Sequence, residues 1–184
     1  MKYICGVDEA GRGPLAGPVT AAAVILPADF PQNILCDSKK IEPRKREQVA
    51  HIIKKKALCW STGWVWPEEI DILNIHNATL LSMKRAINCL EIKPDLIKID
   101  GLYVPDIKLP CIPIKKGDTY IPQIMAASII AKTERDELMK TYATLYPVYE
   151  FDKHKGYPTR LHIEIIQIYG LSPIHRKSFK ITYP

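Results

Sequence analysis

Four carboxylates occur where apolar segments of the sequence end, and their type and placement suit phosphoryl chemistry. The apolar segments have the length and composition of buried strands. Because the carboxyl ends of strands in α/β sheets gather ligands, acids placed there can converge from distant parts of the chain. The four are Asp8 and Glu9 after residues 3–7, Asp100 after residues 95–99, and Asp118 after Cys111–Ile114.

Asp8 and Glu9 are neighbours, which limits how they can act together. Adjacent side chains on a strand point to opposite faces, so the two can share a site only if the strand ends between them. Gly11 and Gly13 follow closely and favour such a break. We therefore expect the first strand to end before Glu9.

Carboxylates crowded into one site repel one another and partly protonate unless cations compensate. Hard divalent ions such as Mg²⁺ prefer oxygen ligands, and two of them roughly 3.5–4 Å apart can hold the oxygens of an in-line phosphoryl transfer. The four acids therefore predict metal-assisted phosphodiester hydrolysis. The alternative is that each acid caps a helix or ends a turn. That alternative suits any one acid alone and suits Asp8 and Glu9, beside a glycine loop, least well.

The elements that must position these acids follow from the hydrophobic spacing. Residues 19–26 and 58–66 are predicted strands, which join the three apolar segments that precede the acids. Helices are predicted from Pro43, over residues 74–90, over residues 122–146 and over residues 158–169. Three early strands followed by strands alternating with helices indicate one α/β domain with a mixed sheet, spanning residues 1–184.

The glycine loop also resembles a different motif. Residues 11–16, Gly-Arg-Gly-Pro-Leu-Ala, fit the dinucleotide-binding fingerprint. That fingerprint needs a following helix whose N-terminus holds the pyrophosphate. Here Pro14 and Pro18 bracket the loop, the next segment is β-like, and the two preceding acids would repel a pyrophosphate. These features argue against a dinucleotide site.

The charge of the chain favours a polyanionic partner. The formal net charge is +6, and basic residues recur in short clusters. Each phosphate that such residues neutralise releases condensed counterions, which favours nucleic-acid binding. A single cluster is equally consistent with a solvated helix face, whereas the repetition indicates nucleic acid. The clusters are residues 39–40, 44–46, 54–56, 115–116, 153–155 and 175–177.

Other features exclude several classes of protein. The five cysteines are scattered and form no Cys-x-x-Cys pair, which argues against a disulfide framework and a zinc site. The N-terminal apolar run is too short for a signal peptide, and no apolar stretch is long enough to span a bilayer. We expect a cytoplasmic protein without a membrane partner.

Taken together, the motifs resemble those of the ribonuclease HII family. The resemblance covers nearly the whole chain in the family's order, and the combination is highly specific. It rests on Asp-Glu-Ala-Gly-Arg-Gly-Pro-Leu-Ala-Gly-Pro-Val at 8–19, Asp-Ser-Lys-Lys at 37–40, Ile-Asp-Gly at 99–101, Lys-Gly-Asp at 116–118, Ala-Ala-Ser-Ile-Ile-Ala-Lys at 126–132, Arg-Asp at 135–136, His-Lys-Gly-Tyr-Pro-Thr at 154–159 and Ser-Pro-Ile-His-Arg at 172–176.

The resemblance implies a ribonuclease H-like fold, with a five-stranded mixed sheet flanked by helices and a C-terminal helical segment. It implies that Asp8, Glu9, Asp100 and Asp118 bind catalytic Mg²⁺ or Mn²⁺, with two ions during catalysis. The implied reaction hydrolyses the RNA strand of RNA–DNA hybrids and cuts duplex DNA 5′ of single ribonucleotides, leaving 3′-hydroxyl and 5′-phosphate ends. With the first acid at position 8, we expect none of the extra N-terminal domain of the sister ribonuclease HIII family.

The resemblance also implies substrate contacts. The backbone of Gly11-Arg12-Gly13 would read the ribose 2′-OH, which alone separates RNA from DNA at a given position. Tyr157 would pack against the sugar beyond the RNA–DNA junction, although a half-buried core aromatic is an equally common role. Further candidate contacts, with His154 expected beside phosphate, are Ser38, Lys39, Lys40, Ser128, Lys132, Lys155, His175 and Arg176.

Two alternatives remain open from the sequence. A junction resolvase would use similar acids on branched DNA, and a non-catalytic binding module would carry them as surface charge. Metal-dependent cleavage of a duplex with one ribonucleotide separates the three functions. On the central helix, Ser128, Lys132 and Asp136 could support the metal site or contact phosphate. The alternative is a polar stripe with a Lys–Asp surface pair, which the sequence favours for Asp136. No additional apolar patch indicates an oligomer, so we expect a monomer.

Overall fold

The framework of the protein is a five-stranded mixed sheet. The computed structural model describes residues 2–35, 38 and 41–181. The strands are β1 (Ile4–Ala10), β2 (Val19–Ile25), β3 (Cys59–Val65), β4 (Leu96–Asp100) and β5 (Cys111–Ile114), in the spatial order β3-β2-β1-β4-β5. β2 is antiparallel to β1 and β3, whereas β4 is parallel to β1 and β5.

Helices cover both faces of this sheet. They are α1 (Pro43–Lys56), α2 (Pro67–Asn88), α3 (Pro122–Leu145), α4 (Phe151–His154) and α5 (Arg160–Tyr169). α1 and α3 pack on the face that carries Ala22 and Val24, and α2 packs on the face that carries Val7 and Ile99. The central strands are buried on both sides, which explains their nearly continuous apolar sequence.

The predicted elements are present, with differences at their ends. β1 continues to Ala10, so the expectation that it ends before Glu9 is wrong. Asn74, where a helix was predicted to begin, interrupts α2 with φ 65° and ψ 164°. Its side chain accepts hydrogen bonds from the backbone N–H groups of His76 and Asn77 at 3.0 and 3.1 Å, and so caps the second part of α2.

The C-terminal segment packs on the far end of α3. Residues predicted as a loop after α3 include a 3-10 turn (Pro147–Tyr149) and the short helix α4. Their apolar side chains form a separate small core with Met139, Phe151, Ile165 and Ile174. In the part of the chain that the structure describes, every helix is too short or too polar to span a lipid bilayer.

Candidate active site

Three aspartates meet at the carboxyl end of the central strands. Val7 pairs with Ile99 in the parallel register of β1 and β4, so Asp8 and Asp100 lie side by side at the end of this pair. Asp118 lies in the 3-10 turn Gly117–Thr119 after β5, and its backbone N–H donates to Asp100 Oδ1 at 3.3 Å. One carboxylate oxygen from each aspartate lies within 4.8 Å of the others.

The protein holds this acidic group in a poorly solvated place. Only 4% of Asp8 and 8% of Asp118 is exposed. Burial raises the pKa of Asp8 well above its usual value, and the neighbouring charges of Glu9 and Asp100 raise it further. Hydrogen bonds from the Ser128 hydroxyl and the Glu9 backbone N–H oppose this rise only in part.

These three carboxylates fit a hard divalent cation. Their ligand atoms are all oxygen, which is the donor that Mg²⁺ and Mn²⁺ prefer. A cation would also offset the repulsion and desolvation that raise the pKa of Asp8. The low exposure of Asp8 and Asp118 contradicts the interpretation that they are ordinary surface charges.

Glu9 extends from the opposite face of β1, but its side chain reaches this group and interacts with the Asp8 carboxyl. Within β1, Asp8 pairs with Ala22 and Glu9 with Ala21, and these two alanines belong to cores on opposite faces of the sheet. Among the described residues, the oxygens that gather within 4.8 Å come from the three aspartates and not from Glu9. The Glu9 carboxylate also contacts Arg12 Nη1 at 3.3 Å. Its charge still raises the pKa of Asp8, so it lies close enough to contribute.

The loop after β1 forms one wall of a cavity next to the aspartates. The cavity has a volume of about 410 Å³. Gly13 faces Tyr157 across it, because a Cβ added at Gly13 would lie 3.8 Å from the Tyr157 ring. The residues around this cavity are Glu9, Ala10, Gly11, Arg12, Gly13, Ser38, Ser128, Lys132 and Tyr157.

The opposite wall is built on α3. The hydroxyl oxygens of Ser38 and Ser128 are 2.8 Å apart, and Ser128 also contacts Asp8. Lys132 Nζ lies 2.7 Å from Asp136 Oδ1 and 5.4 Å from the centre of the Tyr157 ring. The polar stripe predicted on this helix therefore faces the cavity through Ser128 and Lys132.

Two buried arginines hold the glycine loop from behind. Arg135 donates to the carbonyls of Pro18, Ala16 and Lys155 at 2.9–3.0 Å. Arg176 donates to the carbonyls of Gly17, Arg12 and Gly11 at 2.8, 3.0 and 2.5 Å. Because only 2% of Arg176 is exposed and each of its three guanidinium nitrogens donates to a carbonyl of the protein, its predicted role as a phosphate contact is wrong. It supports the loop instead.

The histidine predictions are corrected in the same way. His175 is 3% exposed, and its two ring nitrogens contact Ser172 and His162. Burial lowers the pKa of His175 to about 4, so its ring is neutral at pH 7 and does not attract phosphate. His154 is also buried, and its ring nitrogens contact Tyr149 and Gly156. Neither ring is available to a phosphate.

The remaining predicted contacts have mixed outcomes. Lys155 is half-buried beside the cavity, and its ammonium donates to the carbonyl of Asp152. Lys39 and Lys40 lie outside the described residues.

Sequence reasoning missed the role of Arg135. Its position in the sequence could have indicated this role. Arg135 lies four residues after Ala131 and four before Met139, so its charged side chain falls within a buried stripe of α3.

Comparison with known proteins gives a consistent family. A family model described as Ribonuclease HII matches residues 5–182. Ribonuclease HII of Idiomarina loihiensis is 51% identical over 176 residues, which cover 96% of this chain and 94% of that protein. Ribonuclease HII of Caldicellulosiruptor saccharolyticus is 50% identical over 178 residues, which cover 97% and 87% of the two chains.

A solved structure supports the same relationship. The crystal structure of ribonuclease H2 from Pyrococcus horikoshii superimposes with a TM-score of 0.82 at 27% sequence identity, covering 97% of this chain and 94% of that one. The ribonuclease H-like fold implied by the sequence motifs is therefore confirmed.

Proposed function

Because the chain belongs to the ribonuclease HII family and is a metal-dependent endoribonuclease, we propose that it cuts RNA within RNA–DNA hybrids and at single ribonucleotides in duplex DNA. Cleavage falls on the 5′ side of the ribonucleotide and leaves 3′-hydroxyl and 5′-phosphate ends. The observation that carries this proposal is the group of three aspartates beside a cavity whose walls are a glycine loop and Tyr157.

The acidic group gives the proposed reaction its location. Asp8, Asp100 and Asp118 would hold Mg²⁺ or Mn²⁺, with Glu9 contributing from the adjacent edge. When bound, two such ions supply charge stabilisation at phosphorus and a water of lowered pKa. Ser128 orients Asp8 through its hydroxyl, and the Glu9 backbone N–H holds the same carboxylate at 2.8 Å.

The cavity gives the proposed reaction its selectivity for RNA. Gly11, Arg12 and Gly13 present backbone atoms, and the absence of a Cβ at Gly13 leaves room for a ribose beside the Tyr157 ring. The 2′-OH is recognised there and is not the nucleophile. Ser38, Lys132 and Lys155 are proposed to contact the phosphates on either side, together with Lys39 and Lys40. We also propose that the protein acts as a cytoplasmic monomer with a single domain.

Product mapping tests the proposal. A labelled duplex with one embedded ribonucleotide is incubated with Mg²⁺ or Mn²⁺, next to an all-DNA duplex and a branched DNA junction. We expect one cut 5′ of the ribonucleotide and no cut in the other two substrates. A 2′,3′-cyclic phosphate product, or equal cutting of all-DNA duplex, would contradict the mechanism, and cleavage of the junction alone would indicate a resolvase.

The Asp100→Asn variant is the matched control for this experiment. Removing one charge from the acidic group relieves repulsion, so the fold and substrate binding should persist while most turnover is lost. Near-normal cleavage by this variant would remove Asp100 from the reaction.

A further inference from the structure

Three buried histidines lie behind Tyr157, outside the acidic group. His154, His162 and His175 come from α4, α5 and the C-terminal segment, and each is at most 6% exposed. The rings of His154 and His162 stack with centroids 4.0 Å apart. The Nε2 atoms of His162 and His175 are 3.0 Å apart. The reaction proposed above uses none of these rings directly.

The hydrogen bonds around two of these rings have one possible direction. The backbone N–H of Ser172 can only donate, and it points at His175 Nδ1 at 2.8 Å. In the neutral ring the proton is therefore on His175 Nε2, which donates to His162 Nε2. His162 then carries its own proton on Nδ1, which donates to the Tyr157 carbonyl at 3.0 Å. The chain of donors runs from Ser172 through both histidines to Tyr157.

His154 does not interrupt this chain. The backbone N–H of Gly156 donates to His154 Nδ1 at 3.1 Å, so His154 Nε2 donates to the carbonyl of Tyr149 at 2.8 Å. All three rings are thus satisfied in their neutral forms. Burial lowers the pKa of His162 to about 4, as it does for His175, which is consistent with neutral rings.

The chain ends on the segment that presents Tyr157 to the cavity. This segment has left-handed backbone at Lys155 (φ 53°) and Gly156 (φ 82°), a conformation that needs support from its surroundings. Arg135 holds the Lys155 carbonyl at 3.0 Å, and the backbone N–H of Leu15 holds the Gly156 carbonyl at 2.8 Å. His162 supplies the side-chain hydrogen bond to the Tyr157 carbonyl.

The same C-terminal segment also holds the glycine loop. Ala16 forms a β-bridge with His175, and the next residue, Arg176, donates to the carbonyls of Gly11 and Arg12. Residues 175 and 176 therefore support the two walls of the cavity at once, the glycine loop directly and Tyr157 through His162.

We propose that His162 and His175 are positioning residues for substrate recognition. Through the Tyr157 carbonyl they hold the Tyr157 ring at the distance from Gly13 that binding of a single-ribonucleotide junction requires. The inference rests on the proposed function. Tyr157 is expected to matter most where deoxyribose follows the ribonucleotide, so loss of the histidine chain should reduce selectivity for single ribonucleotides over long hybrids.

A pair of substitutions at position 162 tests this chain. In His162→Asn the amide nitrogen lies near the former Nδ1 and can still donate to the Tyr157 carbonyl. In His162→Gln the amide lies near the former Nε2, where its oxygen can accept from His175 but its nitrogen does not reach Tyr157. The Thr159 backbone N–H also donates to that carbonyl at 2.8 Å, so neither variant leaves it unsatisfied.

The readout is the ratio of kcat/KM for a single-ribonucleotide duplex to kcat/KM for a long hybrid. We expect His162→Gln to lower this ratio about fivefold, the order of effect of one hydrogen bond, and His162→Asn to keep it within about twofold. A merely structural role would lower both kcat/KM values together and leave the ratio unchanged, which would overturn the proposal.

A second comparison separates this inference from the function on which it rests. In a Tyr157→Ala background, His162→Gln should change the ratio no further, because its effect passes through Tyr157; an undiminished further change would overturn the proposal. If His162→Gln does not fold, His175→Asn replaces it, since its amide can accept from Ser172 but does not reach His162. Wild-type protein that cuts neither substrate would contradict the proposed function itself, and the inference with it.

Discussion

At the scale of single residues, the two glycines of the loop have different physical roles. Gly11 has φ +94°, and a Cβ there would lie 2.1 Å from Arg135 Nε, so the fold itself requires glycine. Gly13 has ordinary backbone, and the nearest atom to an added Cβ is 3.8 Å away on Tyr157. An added Cβ at Gly13 would make only an ordinary van der Waals contact, so the fold itself does not require glycine at this position.

This difference predicts opposite phenotypes. Gly13→Val should leave thermal stability nearly unchanged and lower kcat/KM on a ribonucleotide-containing duplex at least about tenfold, because its side chain occupies the proposed ribose site. Gly11→Ala should instead lower the free energy of unfolding by roughly 2 kcal/mol or more. Arg12→Ala, at a half-exposed side chain, should impair cleavage less than Gly13→Val. Equal loss of stability in both glycine variants would contradict this assignment.

Asp8 provides a second test at this scale, because its burial acts against folding. Its pKa is raised in the folded protein, so the folded state holds the proton more tightly than the unfolded state. Stability therefore falls as pH rises above the ordinary aspartate value and reaches its lower plateau above the raised pKa.

Without metal at neutral pH, Asp8→Asn should consequently melt at a higher temperature than the wild type. We expect a rise of at least about 2 °C, the effect of roughly 1 kcal/mol in a chain of this size. Added Mg²⁺ or Mn²⁺ should raise the melting temperature of the wild type more than that of the variant. Asp29→Asn, in an exposed turn, is the control and should change neither value. A lower melting temperature for metal-free Asp8→Asn would contradict the account.

At the scale of elements, α3 connects the acidic group to the recognition loop. Ser128 contacts Asp8, Lys132 lies over Tyr157, and Arg135 holds the carbonyls behind the loop. Burial lowers the pKa of Arg135 to about 10, so its guanidinium remains charged at neutral pH. A buried charge whose donors are used by fixed carbonyls makes this position intolerant of change.

Arg135→Lys is expected to lower the free energy of unfolding by about 3 kcal/mol or more, because an ammonium cannot reach the three carbonyls together. The matched control is Arg85→Lys on α2, where the arginine forms a partly exposed ion pair with Glu69 at 2.7 Å. That change should cost about 1 kcal/mol or less. Denaturant unfolding of both variants measures the difference, and similar losses would contradict a special role for Arg135.

At the scale of the whole molecule, the net charge of +6 favours binding to nucleic acid in a salt-dependent way. The burial of Arg176 removes it from the groups that can neutralise phosphate. Among the basic residues that remain are Arg12, which is exposed and lines the cavity, and Lys155, which is partly exposed and lies two residues before Tyr157.

Binding of a non-cleavable duplex should weaken with salt, and Arg12→Ala and Lys155→Ala should each reduce the slope of log K against log salt by about 0.9. Lys93→Ala, in the loop before β4 at the opposite end of the sheet, should leave the slope unchanged. Fluorescence anisotropy between low and moderate salt measures these slopes. A wild-type affinity that does not vary with salt would contradict binding through phosphate contacts.

Local sequence determined the elements and the placement of the acids. Alternating or continuous apolar runs specify strands, and apolar residues three and four apart specify helices, because each pattern provides one buried face. Cys111–Ile114 is a strand over the predicted residues, and Asn74 marks the predicted helix start by capping it. The acids at strand ends were predictable for the same reason, since the end of a strand is set by the residues around it.

Only the tertiary structure decided which polar side chains face the cavity and which support it from inside. Sequence spacing did not show that β1 continues past Asp8 to Ala10, because the length of β1 depends on its pairing with β2. Arg176 and His175 looked like surface residues beside other basic residues. The burial of Arg176 depends on contacts with partners such as Gly11, 165 positions away, and that of His175 on His162 of α5. Such contacts exist only once distant segments have packed, so no local pattern encodes them.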